Sequence, residues 1–298
     1  MNFLINFFVF IFGLIIGSFL NCVIYRLEKE EKLTGRSYCP DCKHILEWQD
    51  LIPIFSFLFL RGRCRYCHKK ISIQYPLVEI LTGLIFLLIF NFQLSIFNQL
   101  SITSFINLIF LFYIASSLVI IFVYDLRYYI IPDKILLPTI IISFLYRFFE
   151  NLFRWILIEN WSLKIENFYP IFNYLLASLI AFAFFLFIFL ISKGCWMGFG
   201  DCKLVILLSL LLGFPNILLA VFLSFFFGAI IGLGSIFINK KGLTLLEVKR
   251  SLGGSLKNKL LTGLKSQIPF APFLITGTFV AMFWGQEIIS WYLHFLIF

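Results

Sequence analysis

Charge is what this sequence has least of. Only 13% of its 298 residues are Asp, Glu, Lys or Arg, and carboxylates are the scarcer kind, with 15 Asp and Glu against 24 Lys and Arg. Soluble domains carry about a quarter charged residues, so a chain that is 61% hydrophobic, with 41 Phe, is excluded from that class. Its apolar residues fall into long blocks, and about 20 in a row suffice to cross a bilayer as a helix. Phe3 to Tyr25, Phe105 to Tyr124, Phe172 to Ser192 and Ile217 to Ile238 reach that length. Pro76 to Phe92, Ile135 to Phe149, Leu204 to Gly213 and Phe270 onward are shorter or interrupted by Pro or Gly. Together they predict an all-α, polytopic transmembrane helical bundle of about eight spans. The opening "MNFLINFFVF" has no basic residue ahead of its apolar run, and so reads as a retained first helix rather than a cleaved signal.

The few basic residues orient these spans. Ten Lys and Arg lie between Arg26 and Lys70 and seven between Lys240 and Lys265. An even number of proposed spans separates the two stretches, so both face one side, which the positive-inside rule makes the cytoplasm. "NFQLSIFNQLS", after the second span, has no Lys or Arg, whereas the segment around Arg147, Arg154 and Lys164 has three. The net charge of +9 is accounted for by orientation and by adhesion to anionic lipid, and no nucleic-acid partner is needed to explain it.

The stretch from 26 to 75 carries two CxxC knuckles, "CPDC" at Cys39 to Cys42 and "CRYC" at Cys64 to Cys67, with 21 residues between them. That spacing suits a four-thiolate zinc site, and a metal can fold a loop of this size that apolar burial alone could not. A reducing cytoplasm weighs against disulfides. "CRYCH" also fits haem attachment, but on the opposite side of the membrane and without a second CxxC. Four thiolates leave no open coordination position, so the zinc is expected to be structural. His44 and His68 read as surface residues, and Cys22, Cys195 and Cys202 as small packing residues.

Among the carboxylates, Glu79, Asp125, Asp133 and Asp201 stand apart from evident loops. Asp125 closes the third span, in "SSLVIIFVYD", and Asp201 opens the sixth, in "GFGDCKL". Both fall at the cytoplasmic ends of their helices, at one depth. Two carboxylates close together in a poorly solvated place share a proton, so that one can activate a water while the other polarises a peptide carbonyl. Gly198 and Gly200 would permit positive φ and close approach of a substrate backbone, and Lys203 could snorkel to the interface. Each Asp alone also reads as a helix-end residue, Asp201 as an N-cap. Asp133, after Pro132, reads as the start of the fourth span. Glu79 lies about one turn inside the second span, where a charge needs a partner, either an interfacial cation or a role beside the cysteine loop.

"GSFLNCVIYRL", the two knuckles, "YPLVE", "DLRYYIIPD", "MGFGDCKL" and "IPFAPFL" resemble, in order and spacing from Gly17 to Leu274, the type IV prepilin peptidases. The resemblance implies a membrane aspartic peptidase of the bacterial cytoplasmic membrane that removes the short basic leader of type IV prepilins or pseudopilins after a glycine, on the cytoplasmic side. It implies Asp125 and Asp201 as the catalytic pair, Cys39, Cys42, Cys64 and Cys67 as zinc ligands, and Gly198, Gly200, Lys203 and Glu79 as supporting residues. It further implies N-methylation of the new amine from S-adenosylmethionine, associated with residues 26 to 75, and a peptidase core from 105 to 298 within a single membrane domain, 1 to 298. Three positions depart from the family's pattern: Glu28 stands where proline is usual, Ala271 replaces a glycine, and Cys202 follows the aspartate where a plain apolar residue is commoner. An ion-coupled transporter would also use buried aspartates at glycine-broken helices, although the two halves of the chain show no evident repeat.

Overall fold

The computed structural model describes residues 2–96, 102–157, 161–194, 196–247 and 269–297. Among the described residues the regular elements are all helices, apart from two isolated β-bridges, Tyr38 with Ile45 and Arg63 with Lys70, one in each cysteine knuckle. The helices are α1 (Asn2–Glu28), α2 (Phe55–Phe59), α3 (Gln74–Ile96), α4 (Ile102–Tyr128), α5 (Asp133–Leu157), α6 (Trp161–Ser192), α7 (Phe199–Leu212), α8 (Asn216–Glu247) and α9 (Ala271–Ile297). A 3-10 turn, Trp48–Leu51, precedes α2. Seven of these helices are long and apolar enough to cross a membrane, and the protein is a multi-pass membrane protein. The expected sixth span is present as α7, but it has only 14 residues. At 1.5 Å per residue it reaches about 21 Å, short of the roughly 30 Å of a hydrocarbon core. Cys195, Glu159 and the basic stretch beyond position 247 lie outside the described residues.

The chain packs into two units, Met1–Tyr124 and Asp125–Phe298. In the first, α1 and α3 lie against each other along a seam of small residues. A Cβ on Gly13 would stand 2.7 Å from Gly83 Cα and one on Gly17 would stand 2.7 Å from Glu79 Cα. One turn further on, Asn21 Nδ2 donates to the Tyr75 carbonyl at 3.0 Å. The contact repeats every fourth residue on both helices and brings the backbones as close as small residues allow. The Phe86 ring stacks on Phe112 of α4 at 4.1 Å between centroids. Where α1 ends, the chain doubles back around Arg26. This guanidinium is buried and donates to the carbonyls of Lys32, Leu33, Gly35 and Arg36, so four backbone acceptors satisfy it.

In the second unit α7 packs against α5, α6 and α9, and α8 against α9. The α8/α9 contact is again backbone-close, since a Cβ on Gly277 would stand 2.5 Å from the Ala220 carbonyl oxygen. Arg147, one of the three basic residues of the segment 147–164, belongs to α5 and turns inward. Its guanidinium donates to the carbonyls of Leu210 and Leu211 at the end of α7, pairs with Glu150 and lies over the Tyr174 ring. Those carbonyls have no partner within their own helix, and a cation there complements the helix dipole.

Gly13→Val should destabilise the first unit by about 1–3 kcal/mol, because the added side chain meets backbone that cannot yield cheaply. Denaturant unfolding in detergent micelles would measure it. Gly234→Val, at a position where a Cβ meets nothing within 4 Å, should leave the midpoint unchanged.

Candidate active site and cysteine centre

The second unit brings together one end of α4, α5, α7 and α9. Asp125, in the last turn of α4, and Asp201, in the first turn of α7, are 5% and 7% exposed. They stand near enough for the charge of one to act on the other. Each meets a helix N-terminus. The Asp125 carboxylate accepts the backbone N–H of Ala271, the first residue of α9. Asp201 Oδ2 accepts the N–H of Gly198 at 3.2 Å. Gly198 is therefore the N-cap of α7 and Asp201 sits three residues in, correcting the expectation that Asp201 is the cap. Free N–H groups and the positive end of the helix dipole favour a carboxylate at such a position.

The glycines act differently from the expectation. Gly198 has φ −76° and ψ 153°, an extended conformation open to any residue, so positive φ is not its reason. Gly200 is a matter of space: a Cβ there would lie 3.2 Å from the Ile131 side chain, in the turn between α4 and α5. Lys203, which the sequence allows to snorkel, pairs with both oxygens of Asp133 at 2.9 Å. Asp133 begins α5, as the sequence predicts, and its carboxylate is engaged by Lys203. This half-exposed pair ties the start of α7 to the start of α5 and is worth no more than about 1 kcal/mol. Cys202 is fully buried beside Asp201, as expected of a small packing residue. Ala271 drew notice in the sequence only as a replaced glycine. Its role through the backbone N–H carries no side-chain signal and could not be read there.

In the first unit the sulfur atoms of Cys39, Cys42, Cys64 and Cys67 lie within 4.8 Å of one another, and Cys39 and Cys67 are 3.9 Å apart. Tetrahedral zinc with Zn–S bonds near 2.3 Å separates its ligand atoms by about 3.8 Å, so the cluster fits zinc. The two knuckles repeat one geometry. Cys39 N–H donates to His44 O and Lys43 N–H to Cys39 O, while Cys64 N–H donates to Lys69 O and His68 N–H to Cys64 O. Burial raises the Cys64 thiol, but the N–H groups of Cys67 and Tyr66 and the neighbouring thiols outweigh it and bring its pKa down to about 7, towards the thiolate that a metal needs. Lys69 pairs with Asp41 across the knuckles, and Asp50 takes both Arg65 and the Tyr66 hydroxyl. His44 and His68 are exposed, as expected, with His44 stacked on Tyr66.

Glu79 meets neither a cation nor the thiols. Its carboxylate accepts the Ile54 N–H at 2.8 Å and the Ser18 hydroxyl. Ile54 has φ +62° and ψ −51°, the centre of a γ-turn in which the Phe55 N–H donates to the Pro53 carbonyl, a strained conformation that a β-branched residue adopts only when its surroundings impose it. Glu79 thus fastens the turn before α2 to the α1/α3 seam.

Known proteins match this sequence along nearly the whole chain. Residues 11–92 match the Bacterial Peptidase A24 N-terminal domain, and residues 112–233 match the Type IV leader peptidase family. A protein of Legionella pneumophila, "Prepilin leader peptidase/N-methyltransferase", is 31% identical over 96% of this chain and 93% of its own length. The chain belongs to the type IV leader peptidase family. Relatives of the same name from Bacillus subtilis (strain 168) and Aeromonas salmonicida are 30% and 28% identical, over 96% and 97% of this chain and 96% and 94% of their own lengths. No solved structure matches. The first of the two matched segments holds the four cysteines and Glu79, and the second holds Asp125, Gly198, Gly200, Asp201 and Lys203; the N–H partner of Asp125, at Ala271, lies beyond both.

Glu79→Ala should free the Ile54 amide, accelerating its hydrogen exchange roughly 10- to 100-fold, as loss of a hydrogen bond to a charged acceptor implies. Zinc content should stay at the wild-type level. Cys42→Ser, measured by elemental analysis of the purified protein, should instead lose the metal.

Proposed function

We propose that this family member is a prepilin peptidase of the bacterial cytoplasmic membrane that cuts the basic leader from type IV prepilins or pseudopilins after a glycine, at the cytoplasmic face. The observation that carries this reading is the pair of buried carboxylates, Asp125 and Asp201, each at a helix end and within reach of the other's charge. One aspartate takes a proton from the attacking water while the other gives a proton to the carbonyl oxygen of the scissile bond, and the roles reverse as the amine leaves. Gly200 lets α7 pack closely against Ile131, and Lys203 and Gly198 set the start of α7. The anionic inner leaflet retains the basic leader while the apolar pilin segment stays in the bilayer. Membrane depth therefore presents the bond to the aspartates before any specific contact forms.

In this reading the peptidase core runs from 105 to 298 within one membrane domain, 1 to 298. Residues 26 to 75 form an inserted cytoplasmic module whose four cysteines hold structural zinc and which serves methylation of the new N-terminal amine from S-adenosylmethionine. The names of the relatives, which join leader peptidase and N-methyltransferase, support both activities. An ion-coupled transporter, the other use of paired buried aspartates, finds no support among them. Mass spectrometry of a prepilin incubated with the purified protein in detergent tests the proposal. Loss of the leader, and a methyl group added only with S-adenosylmethionine, are expected. Asp125→Asn and Asp201→Asn should each lower cleavage by at least about 1000-fold, the scale seen when a member of a catalytic constellation is removed, whereas Cys64→Ser should spare the cut. Full cleavage by either Asn variant would sink the assignment.

A further inference from the structure

The segment between α1 and α3 turns a large apolar surface outward although it contains no spanning helix. Phe55, Leu58 and Phe59 of α2 are exposed, Phe59 by 84% and Leu58 by 64%. Their spacing of three and four residues places them on one stripe of the helix. Phe57, off that stripe, turns inward, its ring 3.1 Å from where a Gly62 Cβ would be. The adjoining 3-10 turn adds Trp48, 72% exposed, and Leu51. A patch of this kind on a polar module marks a surface with a partner.

Depth in the membrane identifies the partner. Glu79 is the sixth residue of the candidate span Gln74–Leu94, about 7.5 Å along the helix from its start. The Ile54 N–H sits 2.8 Å from its carboxylate, and α2 begins at the next residue. The hydrogen bond therefore holds α2 at the level of the first turns of a spanning helix, where headgroups meet hydrocarbon. Both ends of the segment run directly into spans, Phe3–Glu28 and Gln74–Leu94. The segment from Arg26 to Tyr75 carries ten basic against six acidic residues. Arg65 and Lys69 are paired with Asp50 and Asp41; Arg61, Arg63 and Lys70 are exposed. Trp and Phe on one side with Lys and Arg beside them suit an anionic lipid interface, and the same positive charge repels a basic leader.

We propose that the stripe Phe55, Leu58 and Phe59, with Trp48, is an interfacial anchor that seats the cysteine module in an anionic leaflet. The sidedness follows the functional reading above; the anchoring itself does not depend on catalysis. The test uses the full chain with Trp155, Trp161, Trp196, Trp284 and Trp291 replaced by Phe, in vesicles of phosphatidylglycerol and phosphatidylethanolamine. Lipids brominated near the top of the acyl chain should quench Trp48 roughly twofold, and aqueous acrylamide should quench it little. A further variant with Phe55, Leu58 and Phe59 replaced by Ser, retaining its zinc, should reverse that pattern. Quenching by acrylamide alone would place the stripe in water, and protection from both quenchers would place it under protein, such as a second copy. Either overturns the anchor. If the Trp-depleted chain fails to fold, a diazirine-bearing phosphatidylglycerol can label the unaltered chain. Adducts on residues 48 to 59 are expected, and labelling confined to the spans would overturn it.

Discussion

A carboxylate shut among apolar helices survives only where hydrogen-bond donors meet it, and that requirement organises the second unit. Asp125 and Asp201 are both buried and both close to the other's charge. The donors that reach them are backbone N–H groups left over at helix starts, Ala271 for one and Gly198 for the other. Helix N-termini offer free donors and a favourable dipole without bringing in a side-chain cation that would lock the pair as a salt bridge. Lys203, two residues after Asp201, pairs with Asp133.

The dependence extends to the length and anchorage of α7. At 14 residues it is too short to be held by the bilayer alone, and it is fixed at both ends by protein. At its start the Lys203 to Asp133 pair and the fit of Gly200 against Ile131 set its position. At its end Arg147 takes the carbonyls of Leu210 and Leu211, and Asn173 exchanges two hydrogen bonds with Phe214. Between these ends Leu204, Val205, Leu207 and Leu208 are almost wholly buried. A short, doubly anchored helix keeps Asp201 at a fixed depth, which a longer span free to tilt would not do as well.

In the first unit a different constraint reaches the same precision. The cysteine module lacks the apolar core to hold its own shape, and the zinc-compatible thiol cluster, the Arg26 wrap and the Glu79 latch substitute for it. Its large apolar side chains are consequently free to face outward. The γ-turn at Ile54 is the junction: strain at one residue, held by one carboxylate, sets where α2 lies.

Much of this was legible in the residues. Block length and scarcity of charge gave the helical membrane class, because the hydrophobic requirement of a bilayer leaves a direct trace in composition. The CxxC spacing gave the thiol cluster, because coordination geometry is short-ranged. Asp125, Asp201 and Glu79 stood out because unpaired carboxylates are costly in apolar segments. Tertiary structure alone decided what each of these groups touches. That Ala271 serves Asp125 through its backbone, that Arg147 caps the end of α7, that Lys203 answers Asp133, and that Gly200 is required by Ile131 are contacts between residues 63 to 146 positions apart, made by packing and by main-chain atoms that every residue type shares. Sequence pattern records what a residue is, whereas these roles depend on what the fold places against it.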